Sequence, residues 1–413
     1  MKVKTIAGIC VVVFCGLIPS RLSAETWLSR DLENKWRTIP WRLGPLRLQL
    51  NLTVRDAGYD SNVYGNLYAP VRDYSLTAGP ELKLYWPVHN RVLFYVSESP
   101  QYVYFLKMRR ERTWNNYFTA EGYYALNRLL WTLGTSQSTA KSRVTPEIDI
   151  RSQIKQNSVY GSLLFQASPK TSVLFRYTHN FFGYENFQLE GASLRDRLDR
   201  NEDLWNAKFH YQLSPQKIYF VDVQYGIYNF VDSQSQNDAL GYAVRAGVDY
   251  TPSEKVNGSI SLGYKTVQPL KGGRRNYGGF IADTKLSFRV LRIFKARLTL
   301  LRDMPFSFIY SDTYFLLYQV GAGLSMYPSL NIRLDYDYYY AGFSYPEIGP
   351  SRLVSNVMDS YGDTYDAHSV GIIYRLKKNI GLGMTVGAWR RRFSYLNANS
   401  VRYYVFANLT YDF

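Results

Sequence analysis

Residues 400–413 read SVRYYVFANLTYDF, and the side chains alternate to the last position. Val401, Tyr403, Val405, Ala407, Leu409, Tyr411 and Phe413 fall on one face; Arg402, Tyr404, Phe406, Asn408, Thr410 and Asp412 fall on the other. A repeat of two is the signature of a strand, whose successive side chains point to opposite sides. It leaves two architectures open: a soluble sheet that buries its apolar face, or a closed wall that shows that face to lipid. The same alternation opens the regular part of the chain. Leu46, Leu48, Leu50, Leu52 and Val54 interleave with Arg47, Gln49, Asn51, Thr53 and Arg55. Next, Tyr74, Leu76, Ala78, Leu82 and Leu84 oppose Asp73, Ser75, Thr77, Glu81 and Lys83.

The connections decide between the two. Tight turns are predicted at 87–91, 127–128, 168–170, 214–217, 251–255, 291–294, 327–329 and 377–379, several with Pro among Ser, Thr or Lys. Between them fall generally longer, polar or Gly-rich links at 60–72, 107–113, 137–149, 183–202, 232–238, 268–278, 344–363 and 396–399. A membrane barrel sorts short periplasmic turns from long extracellular loops in this way; a soluble sandwich has no reason to. The fold class is therefore all-β, a transmembrane antiparallel up-and-down β-barrel of about eighteen strands, within a range of about 16–20. Two segments blur the count: 93–106, broken by Glu98 and Pro100, and 297–310, broken at 302–305. Trp86, Trp114, Trp131, Trp205, Tyr250, Tyr264, Tyr327 and Tyr374 stand near predicted strand ends, where an apolar ring with a polar tip suits the bilayer interface.

Residues 1–24 read as a secretory signal peptide. Lys2 and Lys4 precede an apolar run at 6–18 that is too short to span a bilayer, and Ser23 and Ala24 suit cleavage. The only cysteines, Cys10 and Cys15, lie inside it, so the exported chain is expected to have no disulfide, no thiolate metal site and no cofactor. Residues 25–45, with Trp27, Trp36 and Trp41, read as a short periplasmic segment with a helical turn at the barrel mouth; residues 46–413 read as one barrel. The formal charge is +16, and losing Lys2, Lys4 and Arg21 takes three from it. Such an excess on an exported protein points to anionic partners such as lipopolysaccharide, an acidic polymer or small anions, and not to nucleic acid.

If the apolar faces meet lipid, the opposite parity lines an aqueous lumen. It receives Arg47, Arg55, Lys83, Arg176, Lys208, Arg245 and Lys265, and then Lys285, Arg289, Arg297, Arg333, Arg375, Arg391 and Arg402. It also receives Asp73, Glu81, Glu121, Asp222, Asp249, Asp283, Asp335, Asp337 and Asp412. Two readings of this wall stand side by side. Same-face neighbours such as Asp283 with Lys285 and Arg333 with Asp335 would neutralise one another, or the basic surplus would form a track for an anionic solute. Tyr95, Tyr117, Tyr123, Tyr160, Phe220, Tyr339, Trp389, Tyr404 and Phe406 share the lumen parity and suit sliding contacts with sugar rings. Basic clusters at 107–112, 271–275 and 390–392 are assigned to loops that meet lipopolysaccharide phosphates.

The closing segment resembles the last strand of bacterial outer-membrane barrels, whose final Phe is read by the barrel-assembly machinery. Tyr403, Leu409, Tyr411 and Phe413 carry that match. Leaving the first strand, residues 59–64 read YDSNVY, and Gly79-Pro80 follows in the second. This hairpin resembles the opening of the β-barrel porin-2 group of outer-membrane proteins, and short Pro turns such as Ser168-Pro169-Lys170 and Ser214-Pro215-Gln216 extend the likeness. The resemblance implies a cell outer-membrane location in a Gram-negative bacterium and, for many members, a place in exopolysaccharide or capsule production. Its implied role is a passive conduit for an exported polar or anionic polysaccharide, working with periplasmic polysaccharide-export proteins. A diffusion porin for small solutes is the alternative.

An enzyme is not expected. Of the four histidines, His89 falls in a turn, His210 faces the lumen, and His368 and Ser369 are strand neighbours that point to opposite faces. The approximately 20 residues before Leu46 are too few for the plug of an energised receptor. The link at 137–149 is short for a loop that constricts the pore; the longer links at 183–202 and 344–363 are the ones that could fold inward.

Overall fold

The computed structural model describes residues 33–145, 148–186, 188–189, 192–232, 237–250, 255–271, 276–307, 314–344, 363–393 and 398–413. The signal-peptide assignment at 1–24 and Trp27 lie outside them.

Strand follows strand in the order of the chain. The first nine are β1 (Leu46–Asp60), β2 (Asp73–His89), β3 (Val92–Phe105), β4 (Thr113–Leu126), β5 (Leu129–Thr145), β6 (Ile148–Gln166), β7 (Thr171–Tyr184), β8 (Arg200–Ser214) and β9 (Lys217–Phe230). The rest are β10 (Ala239–Tyr250), β11 (Val256–Pro269), β12 (Tyr277–Leu291), β13 (Phe294–Asp303), β14 (Leu316–Met326), β15 (Ile332–Ser344), β16 (Thr364–Lys377), β17 (Ile380–Phe393) and β18 (Ala398–Asp412). Each pairs antiparallel with the next, and β18 returns to β1, with Leu52 opposite Tyr411 and Val54 opposite Leu409. Eighteen strands therefore close into a barrel. Closure leaves no open edge, which the hydrocarbon core of a bilayer would not tolerate.

The seam carries one irregularity. Asp56 adopts φ 54°, and the register shifts there against both β18 and β2. One extra residue in β1 makes a bulge, which switches the parity of that strand so that Tyr59 pairs with Val405 and Asp60 with Tyr404. The tight turns among the described residues fall where their chemistry puts them; Asn127, at φ 40°, closes β4 onto β5 with Leu126 opposite Leu129. The turn expected at 251–255 and the basic cluster at 271–275 lie mostly outside the described residues.

Two expectations about length are corrected. The link placed at 137–149 is strand for most of its length: β5 and β6 run 17 and 19 residues and pair up to Thr145 opposite Ile148. β4 stops pairing with β5 at Thr139, and β7 stops pairing with β6 at Ile154. Beyond those points the hairpin tip has no ladder with a flanking strand among the described residues, and side chains hold it instead: the Lys141 N–H donates to Asn115, and Glu111 binds Lys141 and Arg151. The tip reaches across the mouth, with the Arg143 guanidinium 5.0 Å from the ring centroid of Trp389 on β17. Its polar run, GTSQSTAKSR, read as a loop because a strand outside the bilayer needs no apolar face. The break at 302–305 is the end of β13, and the next link turns into the lumen, with Phe306 edge-on to Tyr228 and Phe230. Segment 93–106, by contrast, is a single strand, β3. The cluster at 390–392 is also strand: Arg390 and Arg392 pair with Asp366, while Arg391 pairs with Asp363.

At the other end, residues 33–36 form a helical turn, and Trp41–Leu43 pairs back on β1 across Gly44. Trp36 packs into the periplasmic mouth against Leu93, Tyr123 and Ala125.

Candidate functional site

Residues opposite one another in an antiparallel ladder share a face, so the wall can be traced strand by strand. One face carries the exposed large apolar side chains, Leu262 at 65 % and Phe280 at 73 % among them. Its aromatic row Tyr177, Trp205, Tyr225 and Tyr242 crosses β7 to β10 at centroid spacings of 5.3, 5.4 and 5.1 Å. Trp86, Trp114, Trp131, Tyr264 and Tyr374 are exposed on the same side; Tyr327, expected there too, is exposed just past the end of β14. This is the lipid face with its interfacial belts. Tyr403, Leu409 and Tyr411 of the closing strand share it, opposite Ala388, Leu382 and Ile380.

The other face lines the lumen, and the ladder brings the predicted residues to it. Arg47 stands opposite Tyr85, which stands opposite Tyr95. Tyr95 opposes Glu121, which hydrogen-bonds Tyr123 and Tyr160. Arg55 donates to Gln101, and Lys83 pairs with Glu81 at 3.0 Å. Arg176 opposes Asn206, Lys208 opposes Asp222, and Asp222 opposes Arg245. Lys265, Lys285, Arg289 and Arg297 follow on β11 to β13, with Arg333, Arg375, Arg391 and Arg402 on β15 to β18. Tyr117 opposes Ser99, Tyr339 opposes Ala367, Ala367 opposes Trp389, and Trp389 opposes Arg402. Tyr404 is beside Phe406, rings stacked at 5.0 Å.

Most of these cations have an anionic partner. Lys208 reaches Asp249 at 2.9 Å, Arg245 reaches Asp222 at 3.5 Å, and Lys265 reaches Asp303 at 3.1 Å. Arg297 bonds Asp337 at 2.7 Å, Arg333 bonds Asp335 at 2.8 Å, and Arg402 bonds Asp60 at 2.6 Å. Lys285 is held only loosely, 3.8 Å from Asp283 with its side chain 72 % exposed. Pairs in a hydrated wall contribute at most about 1 kcal/mol each, so their main effect is to fix where charge sits.

A second arrangement recurs. Tyr160 lies flat over Gly134 directly across the ladder, and Tyr404 lies over Gly387; a Cβ at either glycine would run into the ring. Each flat ring carries a cation. Arg176 stands 4.4 Å over Tyr160, Arg402 5.5 Å over Tyr404, and Lys208 3.7 Å over Phe220. These contacts contribute about 0.5–1 kcal/mol where exposed.

The wall is divided. On β3 to β7 the lumen positions are mainly Ser, Thr, Asn, Gln and Tyr, with Glu121 and Arg176 the charges within the paired barrel. On β8 to β13 and on β15, acids and bases are interspersed among them, from Arg200 and Glu202 to Asp335 and Asp337. A recess of about 270 Å³ in that charged half lies between Arg245, Lys265 and the inward Phe306. At the extracellular mouth, Glu111 is buried and binds Lys141 at 3.2 Å and Arg151 at 3.6 Å. It also accepts from Tyr64, whose phenol is pushed up to about 12 by burial and by that carboxylate. Sequence reading placed Lys141, Arg143, Asp60, Arg200 and Glu202 in links and Asp303 at a strand break, and assigned Arg151 no role. Carrying the alternation back from Leu204 would have found Arg200 and Glu202.

A closed antiparallel barrel of eighteen strands, apolar outside and ion-paired within, is an outer-membrane channel of the porin type. The model of the family described as Putative beta-barrel porin 2 matches residues 51–413, and the chain belongs to that family. Its members and fold are channels, not enzymes. No curated protein matches. Among solved structures, Pseudomonas aeruginosa OpdQ is similar at TM-score 0.50 and 10 % identity, covering 89 % of this chain and 97 % of its own. Acinetobacter baumannii OccAB4 is similar at TM-score 0.49 and 11 % identity, covering 89 % and 98 %. Pseudomonas aeruginosa OccK2 (OpdF), solved in complex with glucuronate, is similar at TM-score 0.49 and 11 % identity, covering 88 % and 98 %. At these identities the likeness is one of fold alone.

Proposed function

We propose that the barrel is a passive conduit for a polar or anionic saccharide polymer leaving through the outer membrane. The observation that carries this reading is the divided lumen. Flat tyrosine faces and hydroxyls on one side suit the C–H faces and hydroxyls of pyranose rings. Ordered acid–base pairs on the other keep the passage wet and leave a basic surplus for carboxylates. Transport is driven by periplasmic export partners, not by the barrel. The outward Tyr403, Leu409 and Tyr411, with the terminal Phe413, are the features for the assembly machinery to read, and the rim arginines face lipopolysaccharide phosphates.

Planar-bilayer recording tests the reading. Acidic oligosaccharides should block the open channel transiently, and the reversal potential should favour anions. A pore indifferent to oligosaccharides of either charge contradicts it. The second reading is a diffusion porin for small solutes, which the inward Arg143 and Phe306 favour because both narrow the mouth. Small anions would then pass and oligosaccharides would fail to enter.

A further inference from the structure

Trp36 lies inside the periplasmic mouth. Its indole packs on the lumen-facing Leu93 and Tyr123, with Tyr85 and Tyr95 beside them. Lys35 Nζ stands 3.8 Å from the Tyr123 ring centroid, and the Arg47 guanidinium 5.2 Å from the Trp36 ring. Trp41 opposite Leu48 ties the segment to β1 just beyond. The turn is therefore seated by ring packing and cation–π contacts of about 0.5–1 kcal/mol each, which is weak enough for exchange.

The seat has a polar half as well. Glu121 accepts a hydrogen bond from the Tyr160 hydroxyl at 2.5 Å and another from Tyr123. Tyr160 is the ring held flat over Gly134, with Arg176 above it. Aromatic faces beside a carboxylate already bridged by hydroxyls have the chemistry a pyranose needs. The sugar's C–H face stacks on a ring while its hydroxyls take the places of the phenols.

We propose that the periplasmic end of the aromatic wall, around Tyr95, Tyr123, Tyr160 and Glu121, is a pyranose-binding subsite, and that Trp36 occupies it until a saccharide entering from the periplasm displaces it. This rests on the saccharide reading above and adds where the first ring binds and what it replaces. The apolar periplasmic ends of β2 to β6 are then a docking face that serves two occupants in turn.

Oriented single channels and a neutral glucose hexasaccharide provide the test. Trp36 is outside the barrel wall, so Trp36→Ala should fold, as a heat-dependent shift in gel mobility will show. Periplasmic addition of the hexasaccharide should block Trp36→Ala about tenfold more often than the wild type, while extracellular addition blocks both alike. Adding Tyr95→Ala to Trp36→Ala should shorten each blockade about tenfold, the loss of one stacking face, and Glu121→Gln provides a second, milder shortening. Equal periplasmic block of Trp36→Ala and wild type, with the wild type still blocked from outside, overturns the subsite and leaves the conduit standing. More frequent block with a lifetime indifferent to Tyr95 and Glu121 also overturns it, reducing Trp36 to a cork. No blockade of either protein from either side, by neutral or acidic hexasaccharide, sinks both proposals.

Discussion

Gly134 and Gly387 show how single residues shape this wall. Each gives up a side chain so that the tyrosine across the ladder can lie against the barrel and turn a ring face to the lumen. Gly387→Val should lift Tyr404 off the wall and destabilise the barrel by about 1–3 kcal/mol, read as a lower urea midpoint in detergent. Asp60 makes a different demand. It is 3 % exposed and its oxygens accept from Arg402 at 2.6 and 2.9 Å. Arg402→Met leaves a buried carboxylate without its cation, so a loss of roughly 3 kcal/mol is expected. Asp60→Asn in the same background should recover part of it; a double variant no more stable than the single would mean the pair is ornamental.

Among elements, the strands were legible because lipid enforces a strict rule on alternate residues, and the turns because Pro, Asn and Gly have few backbone choices. What escaped lies where that rule lapses. Beyond the bilayer, β5 and β6 keep their ladder but lose the apolar face, so the segment looked like a loop. At Glu98 the rule is broken inside the wall: it stands opposite Leu82 and Phe118 on the lipid side, where Asn116 donates to it at 2.8 Å. Parity puts the polar side chains on one face and gives the same-strand pairs Asp283–Lys285 and Arg333–Asp335, but not the cross-strand partners, since cross-strand registers are invisible in the chain. Removing residues 140–153 and joining the shortened strands should leave the barrel folded, because Leu129 to Thr139 stay paired on both sides. Single-channel conductance should rise. An unchanged conductance would mean that the hairpin does not stand in the current path.

For the whole molecule, charge is distributed so that the lumen face of β3 to β7 is nearly uncharged while the rest of the wall carries the ion pairs. Reversing Lys285, the loosely held cation, should move the reversal potential toward cations more than reversing Arg333, which Asp335 already holds at 2.8 Å. Arg245 and Lys265 should resemble Arg333, and reversal there would leave two acids facing each other. Beneath this lies the claim that alternate side chains meet lipid and water around a closed wall. Cysteine scanning along β18 tests it most directly, because the chain from Glu25 onward has no cysteine of its own. In lipid vesicles a charged, water-borne thiol reagent should modify positions 402, 404, 406 and 408 and spare 401, 403, 405 and 407. Uniform modification, or the reverse parity, would contradict the account.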